Sequence, residues 1–285
     1  MNPPPQTTRI STRSTVKKLC ENPSASSKIP FRPRKIRKLT ANFPVDNAIK
    51  SPQPSLTTIP KSLSTKSEID LALNHLRTSD PLLATVISTH PPPKLSPCKS
   101  PFLSLSKSIL FQQLATKAAN SIYSRFISLC GNESNVLPNT VLSLTPQKLR
   151  EIGVSARKAS YLHDLCDKFS TGVLSGTSIL TMDDETLFQM LTAVKGIGPW
   201  SVHMFMIFSL HRPDVLPVGD LGVRKGVQFL YGLKELPKPL QMEQICEKWR
   251  PYRSVGSWYM WRLVEAKTKG NGNAQSDEAE QNEGF

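Results

Sequence analysis

Apolar residues recur at helical spacing along most of residues 67–266, and strand-type alternation is scarce. The first such stretch carries Ile69, Leu71, Leu73 and Leu76 behind Ser67, an N-cap candidate with Asp70 three residues on. Asp80-Pro81 opens a second short helix that runs to Ile87, with proline in its favoured first-turn place. His90-Pro91-Pro92-Pro93 then forces a connector. The periodic stretch 101–129 is too long for an ordinary helix, and Gln112-Gln113 interrupts it, so two helices with a bend are predicted there. Thr145-Pro146 caps a helix that Gly153 ends, and a further helix covers 155–169. Over 182–194, Leu187, Met190, Leu191 and Val194 share one face, and more helices are predicted over 199–210, 221–231, 241–249 and 254–267. The pattern predicts an all-α fold.

The flanks differ in kind. Residues 1–66 are rich in Pro, Ser, Thr, Lys and Arg and lack sustained periodicity, so they are expected to be disordered. This arm holds 13 Lys/Arg against Glu21 and Asp46, which puts +11 of the net +14 there. Such a charge suits a polyanionic partner. Arg32-Pro33-Arg34-Lys35-Ile36-Arg37-Lys38 is a nuclear-localisation type of cluster, while the acid-poor, Ser-rich start would also pass as an organelle transit peptide. The stretch 267–285 reads as a disordered acidic tail, with 67–266 as the folded domain between. Five scattered cysteines (Cys20, Cys98, Cys130, Cys166 and Cys246) include no C-x-x-C pair, which argues against a zinc site, an iron–sulfur cluster or a disulfide framework. No apolar run reaches the length of a membrane span, so no membrane association is expected.

The most informative segment is LTAVKGIGPWSVHMFMIFSLHRPDVLPVGDLGVRKGVQFL, from Leu191 to Leu230. Gly196 and Gly198 permit dihedrals and close approaches that a side chain would block. Pro199 starts the next helix without wasting a donor. Amides from Ile197 to Ser201 should then point outward at a helix N-terminus, where hydrogen bonds and dipole both favour a phosphate, and Lys195 adds charge. A bare Gly-Ile-Gly also serves as an ordinary helix cap and turn. Asp220, after Val218-Gly219 and before a helix, likewise reads on its own as a plain N-cap.

Taken together, LTAVKGIGPWSVHMF and RPDVLPVGDLGVRKG resemble the helix-hairpin-helix, Gly/Pro-rich loop and Asp signature (HhH-GPD) of base-excision DNA glycosylases, in the 3-methyladenine DNA glycosylase II (AlkA-like) branch. The resemblance extends to Ser108-Ile109-Leu110-Phe111-Gln112-Gln113-Leu114 and to Trp249-Arg250-Pro251-Tyr252-Arg253-Ser254, and covers roughly residues 71–265. It implies a two-lobed helical fold, damaged double-stranded DNA as partner, and a monomer. No cofactor is implied, although a monovalent cation held by hairpin carbonyls would fit the family. Asp220 is implied to face the sugar of a flipped nucleotide and to stabilise oxocarbenium-like charge as the N-glycosidic bond breaks. Capping the helix would also hold that carboxylate in one rotamer, so both readings of Asp220 are compatible.

The residues add chemistry to that outline. Sugar hydrolases usually need a second carboxyl group as general acid. An N3- or N7-alkylated purine is already cationic and departs neutral, so no acid paired with Asp220 is required. Asp214 reads as a loop residue. Bifunctional relatives place a nucleophilic Lys just after the hairpin glycines. Trp200 stands there and cannot attack a sugar carbon, which predicts a glycosylase without strand cleavage. A cationic base is attracted by aromatic faces. Trp200, Phe111 and Trp261 are the pocket candidates, with Trp258 in reserve and Met204 where the branch has Tyr. Gln113 is the wedge candidate for the gap in the base stack, with Gln112 and Leu114 as alternatives. Lys195, Gly196, Ile197, Gly198, Ser201, Arg224 and Lys225 are the backbone-binding candidates, and Arg157-Lys158 is another basic pair. The five histidines show no metal-ligand spacing. Glycosylases for uracil, hypoxanthine or oxidised purines, and a non-catalytic DNA-binding module, remain as alternatives to excision of 3-methyladenine and 7-methylguanine.

Overall fold

The computed structural model describes residues 62–94 and 99–280 of the chain. The basic cluster 32–38, Cys20 and Cys98 lie outside the described residues, as does all but the last few residues of the expected basic arm. The described residues form thirteen α-helices, two 3-10 turns and no strand.

Chain order begins with α1 (Lys66–Ser79) and α2 (Pro81–Thr89). The α1 cap is Thr65, two residues before the Ser67 expected: Thr65 is the last extended residue, and its hydroxyl accepts the Glu68 amide. The expected bend after residue 111 is present, because α3 (Pro101–Phe111) and α4 (Thr116–Leu129) are separate helices. Next come α5 (Pro138–Leu142), α6 (Pro146–Glu151), α7 (Ala156–Ser170) and α8 (Gly176–Thr181). Thr145 caps α6 as predicted, Ser155 caps α7 through the Lys158 amide, and α5 and α8 are too short for periodicity to expose. The hairpin joins α9 (Asp184–Thr192) to α10 (Pro199–Phe208). Then follow α11 (Leu221–Tyr231), α12 (Pro239–Ile245) and α13 (Arg253–Glu280). The last helix runs beyond the boundary drawn at residue 266, so a change in composition there does not coincide with a helix end.

Two separate cores make two lobes. One buries Phe102, Ile109, Phe126, Leu149, Leu162, Leu187, Leu191 and Val202, all from α3 to α10. The other joins the two ends of the chain: Leu73, Leu76 and Leu83 from α1 and α2 pack with Val223, Val227, Trp249 and Tyr259. Trp261 on α13 packs against both cores.

Two features fix the second lobe. Helix α11 lies close against α13 because Gly222 and Gly226, one turn apart, present no side chain. A Cβ at Gly226 would come 2.5 Å from Met260 Cβ, and one at Gly222 would come 2.8 Å from Trp261 Cδ1. Beneath them, fully buried Asp80 caps α2 through the Leu82 and Leu83 amides. It also accepts hydrogen bonds from the Trp249 indole at 2.8 Å and from the Tyr231 hydroxyl, and Lys248 Nζ lies 3.4 Å away. Burial alone would push this carboxyl up. The bonds from Trp249, Tyr231 and the Leu83 amide, with the Lys248 charge, outweigh it and leave the group below the usual carboxylate range.

Candidate active site at the lobe junction

Helix α11 begins at Asp220, whose Oδ1 accepts the Val223 amide at 2.8 Å. This is the cap that a Gly-Asp before a helix predicts. The same carboxylate does more. The Trp261 indole N–H donates to Oδ1 at 2.9 Å, and the Trp200 indole N–H donates to Oδ2 at 2.6 Å. Trp200 stands on α10 of one lobe and Trp261 on α13 of the other, so a single carboxylate ties the lobes together. Asp220 is 9% exposed, whereas Trp200 is 54% exposed. The oxygens are therefore oriented by fixed donors at the edge of the junction. Such a charge, set before reaction in a place that excludes most water, stabilises developing positive charge without reorganisation.

The aromatic candidates separate. Phe111 and Met204 line one cleft of about 240 Å³ between α3 and α10, together with Lys107, Ser108 and Phe208. The Trp261 ring lies tilted against that of Phe208 with centroids 5.5 Å apart, so it touches both the cleft and Asp220. Trp200 does not line this cleft, and its hydrogen bond to Asp220 defines its place instead. Trp258 joins neither group: the Arg262 guanidinium lies 4.6 Å over its ring and its N–H points to the Pro91 carbonyl. Phe111 is also engaged already, since the Lys107 ammonium sits 5.3 Å from its centroid and 5.1 Å from that of Tyr123.

The hairpin is tight for a steric reason. Gly196 has φ +79°, and a Cβ there would fall 2.1 Å from Tyr161 Cδ2, so the turn lies flat on α7. The Gly198 amide and the first-turn amides of Trp200 and Ser201 make no hydrogen bond within the described residues. They are the donors that a phosphate would use.

Several residues expected to contact the DNA backbone already have partners within the protein. The Ile197 amide donates inward to the Val194 carbonyl, and its side chain is buried in the core. The Lys195 amide donates to Asp164 Oδ2 at 2.9 Å, and its exposed ammonium lies 3.4 Å from Asp164 Oδ1. Arg224 turns its Nε to the Pro237 carbonyl at 2.9 Å, which fastens the loop before α12, while Lys225 remains exposed. Lys158 donates to the Leu110 carbonyl at 2.7 Å and so closes the end of α3. Asp214, read as a loop residue, holds Arg250 and Arg253, each at 2.6 Å.

At the bend after α3, Gln112 Nε2 donates to the Gly196 carbonyl at 2.7 Å, linking the bend to the hairpin. Gln113 adopts φ +53°, a left-handed conformation uncommon for a side-chain-bearing residue, and both Gln113 and Leu114 are exposed. Sequence reasoning missed Asp164, Tyr161, Phe208, Lys107 and Gly222. Only Gly222 carried a signal, its four-residue spacing from Gly226 on a predicted helix. The others meet the site from elements far apart along the chain.

The fold and this junction define a helix-hairpin-helix protein. The family model described as "HhH-GPD superfamily base excision DNA repair protein" matches residues 106–251, and the chain belongs to that superfamily. Within it, the chain is 32% identical over 199 residues to DNA-3-methyladenine glycosylase 1 of Schizosaccharomyces pombe, covering 70% of this chain and 86% of that protein. A crystal structure of a DNA-3-methyladenine glycosidase from Bacillus halodurans matches with a TM-score of 0.65 and 33% identity, over 73% of this chain and 94% of that one. A Schizosaccharomyces pombe 3-methyladenine DNA glycosylase in complex with abasic DNA matches with a TM-score of 0.60 and 32% identity, over 67% of this chain and 95% of that one.

Proposed function

We propose that the protein is a DNA glycosylase of base excision repair that removes alkylated purines, 3-methyladenine and 7-methylguanine, and leaves an abasic site. The observation that carries this reading is the Asp220 carboxylate, held by three N–H donors at the junction and oriented through both oxygens.

In this reading the hairpin amides of Gly198, Trp200 and Ser201 grip a phosphate of the damaged strand. Gln113 enters the gap left by the extruded nucleotide, with Leu114 beside it. The base enters the cleft of Phe111 and Met204. As the glycosidic bond breaks, its electron pair passes to the alkylated ring, which departs as a neutral base. The sugar carries the positive charge, and the carboxylate of Asp220 faces it. Water adds to the anomeric carbon and releases a proton to solvent. No second carboxyl group is needed, because the leaving base requires no proton. Trp200 offers no nucleophile, so the enzyme is a glycosylase without lyase activity. It acts as a monomer on double-stranded DNA, and the basic cluster Arg32–Lys38 directs it to the nucleus.

The test is base release from methylated duplex DNA by the wild type and by Asp220→Asn. The variant is expected to lose about 10²-fold or more of the rate while keeping its duplex affinity, since phosphate contacts carry most binding. Equal release by both proteins would end the assignment.

A further inference from the structure

The position two residues after Asp220 combines three constraints. Gly222 lies in the first turn of α11, where alanine is ordinarily the better residue for a helix. A Cβ at Gly222 would come 2.8 Å from Trp261 Cδ1, 3.1 Å from Trp261 Nε1 and 3.1 Å from Asp220 Oδ1. The indole atom crowded at 3.1 Å is the one that donates to Asp220 at 2.9 Å. Movement of Trp261 is restricted, because its half-buried ring lies tilted against Phe208 and packs on both cores.

We infer that Gly222 is a positioning residue for the reaction: its missing side chain lets the Trp261 indole reach Asp220 and hold the carboxylate in its working orientation. This rests on the base-excision reading above. Replacing Gly222 with alanine pushes the indole away from Oδ1 without removing any donor or any charge. The carboxylate is then held by Trp200 and the Val223 amide alone and gains freedom to turn. Misplacing a catalytic group slows the chemical step more than it weakens binding.

The experiment compares wild type, Gly222→Ala, Trp261→Phe and the double variant. Single-turnover release of 3-methyladenine from methylated duplex DNA gives the rate, with duplex affinity and thermal midpoint measured alongside. Gly222→Ala and Trp261→Phe are each expected to slow release about tenfold or more, and the double variant no further than Trp261→Phe. Duplex affinity should stay near that of the wild type, and the thermal midpoint should not follow the rate. A wild-type rate in Gly222→Ala, or the same fractional loss from Gly222→Ala in both backgrounds, overturns the inference. Should Gly222→Ala not fold, Trp261→Phe decides: a wild-type rate overturns the inference, and a slowed rate at unchanged affinity supports it. A second readout is independent of activity. With four tryptophans in the chain, the Trp261 indole N–H resonance is identified by its loss in Trp261→Phe. It should shift and exchange faster in Gly222→Ala, and an unmoved resonance overturns the inference even if the wild type releases no alkylated base.

Discussion

Trp200 donates its indole N–H to Asp220 at 2.6 Å from two positions after the second hairpin glycine. A residue that cannot act as a nucleophile thus serves the acid instead, and the hairpin and the carboxylate become parts of one unit. Trp200→Phe keeps a ring and deletes only this donor. The expected result is a loss of about tenfold to hundredfold in single-turnover base release, the range for a hydrogen bond to a charged group. Duplex affinity should change little. A wild-type rate would show that the bond does not orient the acid.

The same substitution pattern bears on strand cleavage. With an indole where a lyase would need an amine, the wild-type protein should leave an abasic-site duplex intact under conditions in which it releases base. Nicking above the protein-free background, or trapping of a covalent adduct by borohydride, would show that another amine reaches the sugar.

Lys107 sets up a test of base selection. Its ammonium already occupies one approach to Phe111, so a cationic base in that cleft meets a like charge. Lys107→Met should raise release of 7-methylguanine, whose ring is cationic while still attached to the sugar, relative to that of neutral hypoxanthine. An unchanged ratio would place the base away from Phe111.

Two adjacent basic residues should behave differently. Lys225→Ala is expected to weaken duplex binding and to reduce the salt slope by about one, the signature of a lost phosphate contact. Arg224→Ala should instead lower the thermal midpoint, because Arg224 is bonded to Pro237. Equal effects on the salt slope would contradict the distinction drawn between them.

Asp80 links the fold to pH. Its folded-state carboxyl lies below the ordinary range, so the unfolded chain binds a proton more readily. Its stabilisation is therefore fully present above about pH 4, the unfolded value, and is lost as pH falls through the lower folded value. Asp80→Asn should cost about 2–4 kcal/mol at pH 7, as expected for a buried charged hydrogen-bonding group that loses its partners' complement. The gap between variant and wild type in denaturant titrations should narrow below about pH 4. A gap independent of pH would mean that the charge on Asp80 contributes nothing.

What the sequence determined by itself was local. Periodicity gave the long helices and residue type gave the caps at Thr145 and Asp220 and the break after Phe111, because each depends on residues within a turn or two of one another. The motif from Gly196 to Asp220 marked the candidate site through its residue types and their spacing along the chain. Tertiary structure decided how those residues are used. Lys195 and Arg224 offered charge for phosphate, yet Asp164, 31 residues away, and the Pro237 carbonyl, 13 away, engage them. Trp261, 41 residues from Asp220, reaches it only because Gly222 leaves the gap between α11 and α13 empty. A hydrogen bond acts over about 3 Å, and only packing decides which distant side chains come within that reach.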